Sequence, residues 1–265
     1  MSDTDHRTDA SAAHLATLAV HAGNAVDPGS GAIRRPLVMA NSYALPEDPS
    51  ELSWSGTDVP LYTRNGGANQ GWLEEKLAAL DGGDAAVALA SGMAAQYAVL
   101  FAALRSGDHL VCSDTTYVGT YRLVTELLPQ KYGITATLVD SSDLDAVAAA
   151  IRPETRLVHV ETPANPTTRI TDVAAVAELA HQAGALLSVD ATFAPPVLQR
   201  PLSLGADVVV HSLTKYYNGH GDAMGGAVIG AGEAGTALVE TIRREVMVNV
   251  GGVISPFNAW LIMRG

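Results

Sequence analysis

The chain has 265 residues, 48% of them hydrophobic and 17% charged, enough to bury one large core or one and a half. Its formal net charge of -12 opposes counterion-release binding to phosphate backbones and anionic lipid surfaces, so neither nucleic acid nor a membrane is an expected partner. Cys112 is the single cysteine, which excludes an intrachain disulfide framework and a cysteine-based zinc site and suits a reducing cytoplasm.

In chain order, residues 1–60 are punctuated by Gly, Pro, Ser and Asp in NAVDPGSGAIRRPL and LPEDPSELSWSGTD, with one short helical stretch near ASAAHLATLAVHAG. They read as an arm that lies on another surface. The opening MSDTDHRTDASAAH lacks the basic start and apolar core of a signal peptide, and no apolar run reaches the roughly 18 residues of a membrane span. LEEKLAALDGG has a helical period with acidic residues on its polar face, so Lys76 is expected to be solvated; Lys131 is expected at a helix end. From Asp84 onward, seven apolar runs (AAVALAS, HLVCSD, ITATLVD, RLVHVET, LLSVDA, ADVVVHS and GGAVIG) alternate with helical stretches such as MAAQYAVLFAALRSG, DLDAVAAAIRP and DVAAVAELAHQAG. Continuous apolar strands joined by helices predict an α/β fold, a mostly parallel sheet covered on both faces with its ligand at the carboxyl ends of the strands. Cys112 then falls on a buried strand. At the end, SPFNAWLIMRG opens with Ser-Pro as a helix start. Residues 61–250 are expected to form a large cofactor-binding domain, and 251–265 to begin a linker helix toward a further domain.

Lys215, one of only three lysines, stands in HSLTKYYNGHGDAMGG directly after the strand ADVVVHS. Two hydroxyls, Ser212 and Thr214, precede it, and Gly219, Gly221, Gly225 and Gly226 allow close backbone approach. These are the parts of a phosphate cradle beside an amine. A lysine in a partly desolvated pocket forms a Schiff base with an aldehyde, and the cofactor that carries both aldehyde and phosphate is pyridoxal phosphate.

Such a cofactor needs further groups at other strand ends. Asp190, closing LLSVD, is placed to hold a pyridine nitrogen protonated, though an acid there also serves as a turn cap. SGMAAQ follows a strand and opens a helix, so the amides of Gly92 and Met93 would face an anion. Tyr117 in SDTTYVGTY is placed either to stack on a ring or to pack in the core. In ETPANP, Glu161 and Asn165 stand at another strand end, where the amide could bond a phenolic oxygen or mark only a turn.

SGMAA, TTYVGTYRL, ETPANP, VDATFA and HSLTKYYNGHGD, in this order and spacing, resemble the Cys/Met metabolism family of pyridoxal phosphate enzymes, the trans-sulfuration group, from about Leu18 to the last residue. The resemblance implies fold type I, the aspartate aminotransferase-like fold with a seven-stranded sheet. It makes Lys215 the Schiff-base lysine, Asp190 the pyridinium partner, and Tyr117 the stacking ring that also assists proton transfer. Ser212 and Thr214 join Gly92 and Met93 on the phosphate, and Thr192 and Asn165 complete the cofactor contacts. Tyr62 and Arg64 in LYTRNGG would reach the cofactor of a neighbouring subunit, which implies a homodimer or homotetramer. Three departures stand out: Gly67, Ala68 and Asn69 occupy the place of the family's usual Asn-Pro-Thr, Val118 follows Tyr117 where Gly is usual, and the family's small C-terminal domain, expected to carry the arginine for the substrate carboxylate, is not in this sequence.

The activity implied is that of a carbon–sulfur lyase acting by γ-elimination on cystathionine, homocysteine or methionine, giving a 2-oxo acid, ammonia and a thiol. The alternatives are γ-replacement by a cystathionine gamma-synthase or O-acylhomoserine sulfhydrylase, and a catalytically inactive, truncated family member serving as a binding or structural subunit. A nicotinamide-binding dehydrogenase would need a Gly-x-Gly-x-x-Gly turn, which SGMAAQ does not supply. His211, His220 and Asp222 border the lysine loop and are read as loop hydrogen-bonding groups rather than as metal ligands.

Overall fold

All seven apolar runs form strands: β1 Ala85–Leu89, β2 His109–Ser113, β3 Thr135–Val139, β4 Thr155–Glu161, β5 Leu186–Asp190, β6 Val208–His211 and β7 Gly226–Gly230. The structure, a computed structural model, describes residues 14–48, 50 and 61–265. The strands make one sheet in the order β1-β7-β6-β5-β4-β2-β3. Strands β2 through β6 pair in parallel, whereas β7 runs antiparallel to both β1 and β6. The α/β class and the mostly parallel sheet agree with the sequence reading.

Strand alternation sorts the core into two layers, because successive side chains point to opposite faces. On one face, Val158, Val160, Leu187, Val189 and Val209 pack with Leu73 and Leu77 of α2 (Ala68–Asp81), Val147 of α5 (Leu144–Ala150), Val176 and Ala180 of α6 (Val173–Gln182), and Ile262 of α8 (Pro256–Ile262). On the other face, Leu157, Val208, Val210 and Val228 meet Ala95 and Val99 of α3 (Gly92–Ala103) and Leu238 and Ile242 of α7 (Gly232–Ile242). Cys112 is buried in this second layer, and its thiol is pushed up to about 12 by burial and then by the Glu161 carboxylate. Burial explains why the only cysteine is inert packing.

Helix starts follow their capping chemistry. Ser91, Asp143, Asp172 and Ser255 accept backbone N–H groups at the heads of α3, α5, α6 and α8. Helix α4 (Val118–Arg122) runs directly into a π-helical segment, Leu123–Tyr132, that ends on Gly133 in the left-handed conformation. Among the described residues no helix is long and apolar enough to cross a membrane.

The arm expected over residues 1–60 falls partly on 1–13, 49 and 51–60, outside the described residues. Its described part rests on this chain's own α2. The Asn69 side chain accepts from Val38 N at 2.8 Å and donates to Pro36 O at 3.0 Å. The altered stretch at Gly67–Asn69 thus starts α2 and pins the arm. Lys76 departs from its expected solvation: it is 7% exposed, and its Nζ donates to Ala19 O of α1 (Leu15–His21) at 2.7 Å and to Met263 O at 2.9 Å. The polar face of α2 is covered by α1 and α8, and burial followed by the charge of Arg34 lowers the ammonium pKa. Lys131 is exposed on the last turn of its helix, as expected.

Candidate active site

The carboxyl ends of β1, β2, β4, β5 and β6 open on one cavity of about 470 Å³. Gly92, Met93, Tyr117, Asn165, Asp190, Thr192, Ser212, Thr214 and Lys215 all line it, together with Glu161. Nine residues chosen from five separate sequence stretches therefore meet in one place. Tyr62 and Arg64 do not line this cavity. The Arg64 guanidinium donates to Val248 O and lies 5.5 Å from the Tyr62 ring centroid.

Helix α3 supplies a wall whose head could bind an anion. Ser91 caps its head by accepting from Ala94 N at 3.1 Å, which leaves the Gly92 and Met93 amides at the open end of the helix dipole. Backbone approach is tight there: a Cβ on Gly92 would lie 2.6 Å from Ser212 Cβ, and one on Gly226 would lie 2.1 Å from Ser91 O. Only glycine at both positions lets the head of α3, the Ser212 turn and β7 converge. On the lysine turn, Lys215 N donates to Ser212 O, and Ser212 N donates to Thr192 Oγ1 at 2.8 Å. Thr214 Oγ1 accepts from Gly225 N at 3.1 Å, which closes the glycine loop back onto the turn. Lys215 and Tyr117 are exposed where the cavity opens to solvent, Tyr117 by 45%. The lysine expected in a partly desolvated pocket is thus exposed while lining that cavity.

The floor is acidic and buried. Asp190 accepts from Thr192 N at 2.9 Å through one oxygen and from Gln96 Nε2 through the other. Gln96, 3% exposed on the second turn of α3, did not figure in the sequence reading. Its spacing four residues after Gly92 was the available signal, since i and i+4 share a helix face. Glu161 stands directly across from Asp190 in the β4–β5 register. Burial first and the Asp190 charge second push the Glu161 carboxyl up to about 7. One layer below, His159 is fully buried with Nδ1 3.1 Å from Ser188 Oγ, and burial pushes its imidazole down to about 4. It is neutral at pH 7.

The histidines of the lysine loop have separate partners. His211, at the end of β6, lies 3.1 Å from Asp81 of α2, whereas His220 Nδ1 contacts Asn218 O at 2.7 Å. For His211 the loop role gives way to a buried link between sheet and helix. Among the described residues no cluster of His, Cys, Asp and Glu could hold a metal ion.

Comparison with known proteins assigns the chain to a family that uses pyridoxal phosphate. The chain belongs to the Cys/Met metabolism PLP-dependent enzyme family, which it matches over residues 16–265. It is 58% identical over 249 residues to a canavanine gamma-lyase of Rhizobium leguminosarum bv. trifolii, covering 94% of this chain and 61% of that protein. It is 41% identical over 250 residues to the cystathionine gamma-lyase of Bacillus subtilis, covering 94% of this chain and 62% of that protein. The crystal structure of metB from Corynebacterium glutamicum superposes with a TM-score of 0.89 at 38% identity, over 97% of this chain and 64% of that one. The chain therefore spans a little under two thirds of the length of these relatives.

The side chains present fit pyridoxal phosphate on structural grounds. A buried acid lies at one end of the cavity, and free helix amides with two hydroxyls lie in the cradle that a Cβ at Gly92 would fill. Lys215, the one lysine among the lining residues, lies in the same cavity wall.

Proposed function

We propose that this chain supplies the cofactor site of a pyridoxal phosphate-dependent γ-lyase acting on an amino acid that carries a heteroatom leaving group on its γ carbon. The observation that carries the reading is the convergence of Lys215, Asp190 and the Gly92–Met93 head of α3 on one cavity. Among possible substrates, canavanine comes first. Identity to two canavanine gamma-lyases is 58%, against 41% and 40% to a cystathionine and a methionine gamma-lyase. The leaving atom would then be oxygen where the sequence reading expected sulfur. A γ-replacement reaction is the second reading, supported by 43% identity to mycobacterial cystathionine gamma-synthases. The intact set of site residues speaks against an inactive binding subunit.

In this reading Ser212, Thr214 and the amides of Gly92 and Met93 would hold the phosphate, Asp190 would hold a proton on the pyridine nitrogen, and Asn165 and Thr192 would orient the ring. The bound cofactor supplies an electron sink for the substrate's α carbon. Tyr117 would stack on the ring. Lys215 Nζ takes the α proton and, with the Tyr117 hydroxyl, relays protons at the α and β carbons. Loss of the Cβ proton would supply the electron pair of a Cβ–Cγ double bond as the Cγ–heteroatom bond breaks, and the departing heteroatom would keep its electron pair and gain a proton. Gln96 and Thr192 fix the Asp190 carboxylate so that both of its oxygens are oriented before the ring arrives.

We assign cofactor binding to residues 61–250, and to 251–265 the start of a connection toward the further length that the relatives possess. A homodimer or homotetramer, with Tyr62 and Arg64 reaching the neighbour's cofactor, is supported by the position of both outside their own cavity and by the apolar Val197 and Leu198, 74% and 72% exposed. A cytoplasmic location is supported by the lone buried thiol. The test is product analysis with canavanine, cystathionine and methionine as separate substrates. Turnover of canavanine in preference to both thioethers, abolished in Lys215→Ala, is expected; appreciable elimination by Lys215→Ala contradicts the role given to that residue.

A further inference from the structure

We propose that Glu161 is a positioning residue that ties the turn carrying Tyr117 to the turn carrying Asn165, and so fixes the two walls that face the cofactor ring. The inference rests on the cofactor site proposed above and assigns it a part that the Lys215, Asp190 and α3 constellation does not contain.

Glu161 ends β4 and is 5% exposed. Its Oε2 accepts from Tyr117 N at 2.6 Å and from Thr116 Oγ1 at 3.1 Å, both on the loop after β2. Its Oε1 accepts from Asn165 N at 2.8 Å, on the loop after its own strand. One carboxylate thus satisfies three donors on two loops that leave different strands. A carboxylate is the side chain for this task because both oxygens are acceptors and neither donates. Glutamine in the same shape has one acceptor oxygen, and its amide N–H would be turned toward a donor.

The clamp sets the Tyr117 ring through its backbone. Tyr117 makes no capping hydrogen bond with its side chain at the head of α4, and its ring lies over Gly119, where an added Cβ would come within 3.0 Å of Cε1. Fixing the Tyr117 amide fixes the plane from which that ring leaves the chain. The surroundings make the carboxylate costly. Asp190 of β5 faces it in register, Cys112 of β2 feels its charge, His159 lies two residues before it on the same strand, and Lys215 lines the same cavity. Burial and Asp190 both raise its pKa, so the position bears an electrostatic strain that a neutral side chain would relieve. The three donors on the pocket loops account for its presence.

The test is circular dichroism of the bound pyridoxal phosphate band at saturating cofactor, with thermal melts of the cofactor-free protein alongside. The band arises from the asymmetric setting of the chromophore, including its stacked ring, and is insensitive to a general change in stability. Glu161→Gln is expected to melt as a folded protein, to take up cofactor, and to lose most of the band. Thr116→Val, which removes one donor of three, is expected to lose part of it. If Glu161→Gln fails to fold, Thr116→Val decides by the same criterion. A band unchanged in both sign and amplitude overturns the clamp while leaving the cofactor site standing. Failure of the unsubstituted protein to take up pyridoxal phosphate overturns the site reading itself, and the clamp with it.

Discussion

Asp81, the last residue of α2, accepts the hydroxyl of Tyr217, two residues beyond Lys215, while its other oxygen lies 3.1 Å from His211 at the end of β6. Asp81 and His211 are fully buried, and the His211 and Tyr217 rings meet edge to face at 4.9 Å. The lysine turn is thereby fastened at both ends to a helix outside the cavity. Replacing Asp81 with Ala strands a buried hydroxyl and a buried imidazole. At about 1–3 kcal/mol for each unsatisfied group, unfolding free energy should fall by roughly 2–6 kcal/mol, read from denaturant titration. Tyr217→Phe, which removes one donor and leaves the packing, should cost less than half as much.

The ion pair of Arg243 and Glu74, 2.7 Å apart, joins the end of α7 to α2 with little exposure on either side. Arg243 also donates to Ala86 O, and Glu74 accepts from Ala88 N, so the pair bridges into β1. Glu74→Ala leaves a buried guanidinium uncompensated, and a loss of about 3–5 kcal/mol is expected. Substituting both residues with apolar side chains of similar size should recover most of it; a double variant no more stable than the single one would show that packing, not charge pairing, governs the site.

Gly226 opens β7 against the head of α3. Its added Cβ would meet Ser91 O at 2.1 Å and Gly92 N at 2.8 Å, both backbone atoms that cannot rotate away. Gly226→Ala should move the Gly92 amide out of the anion cradle. Overpacking of this kind costs about 1–3 kcal/mol, and if it falls on the cradle, pyridoxal phosphate should bind roughly tenfold more weakly. Equilibrium titration with the cofactor, followed by visible absorbance, checks this, with far-ultraviolet circular dichroism verifying that the sheet is retained.

Glu161 also gives the cofactor-free protein a pH signature. Its carboxyl lies at about 7 in the folded chain against 4.5 ordinarily. A raised folded pKa contributes stability that is fully present below the ordinary value and is lost as pH rises through the folded one. Between pH 4.5 and 7 the unsubstituted protein should therefore lose stability relative to Glu161→Gln, with a slope of at most about 1.4 kcal/mol per pH unit. Parallel stability curves for the two proteins across that window would contradict the assignment.

The sheet was legible because each strand is a continuous apolar run bounded by polar turn residues, and because strand ends in an α/β sheet fall on one edge. Lys215, Asp190, Tyr117 and Asn165 could be brought together on that ground alone. Three features were not legible. Lys76 stands in a helix whose period marks a polar face, yet which face is covered depends on α1 and α8, some 57 and 187 residues away along the chain. Gln96 carries no strand-end signal, since it reaches Asp190 from a helix; its place four residues after Gly92 marks a shared helix face but not the partner it meets. The antiparallel setting of β7 leaves no trace in an apolar run, because pairing direction is fixed by the connection and not by side-chain pattern. Local chemistry was therefore readable wherever the backbone itself delivered the side chain, and unreadable wherever a second element covered it.

Visible absorbance of the purified protein mixed with pyridoxal phosphate, before and after borohydride and followed by peptide mapping, tests the central claim most directly. A yellow band that reduction converts to a stable adduct on Lys215 is the expected result. A protein that stays colourless with added cofactor, or an adduct found on Lys76 or Lys131 instead, would contradict the assignment of Lys215 and of the cavity around it.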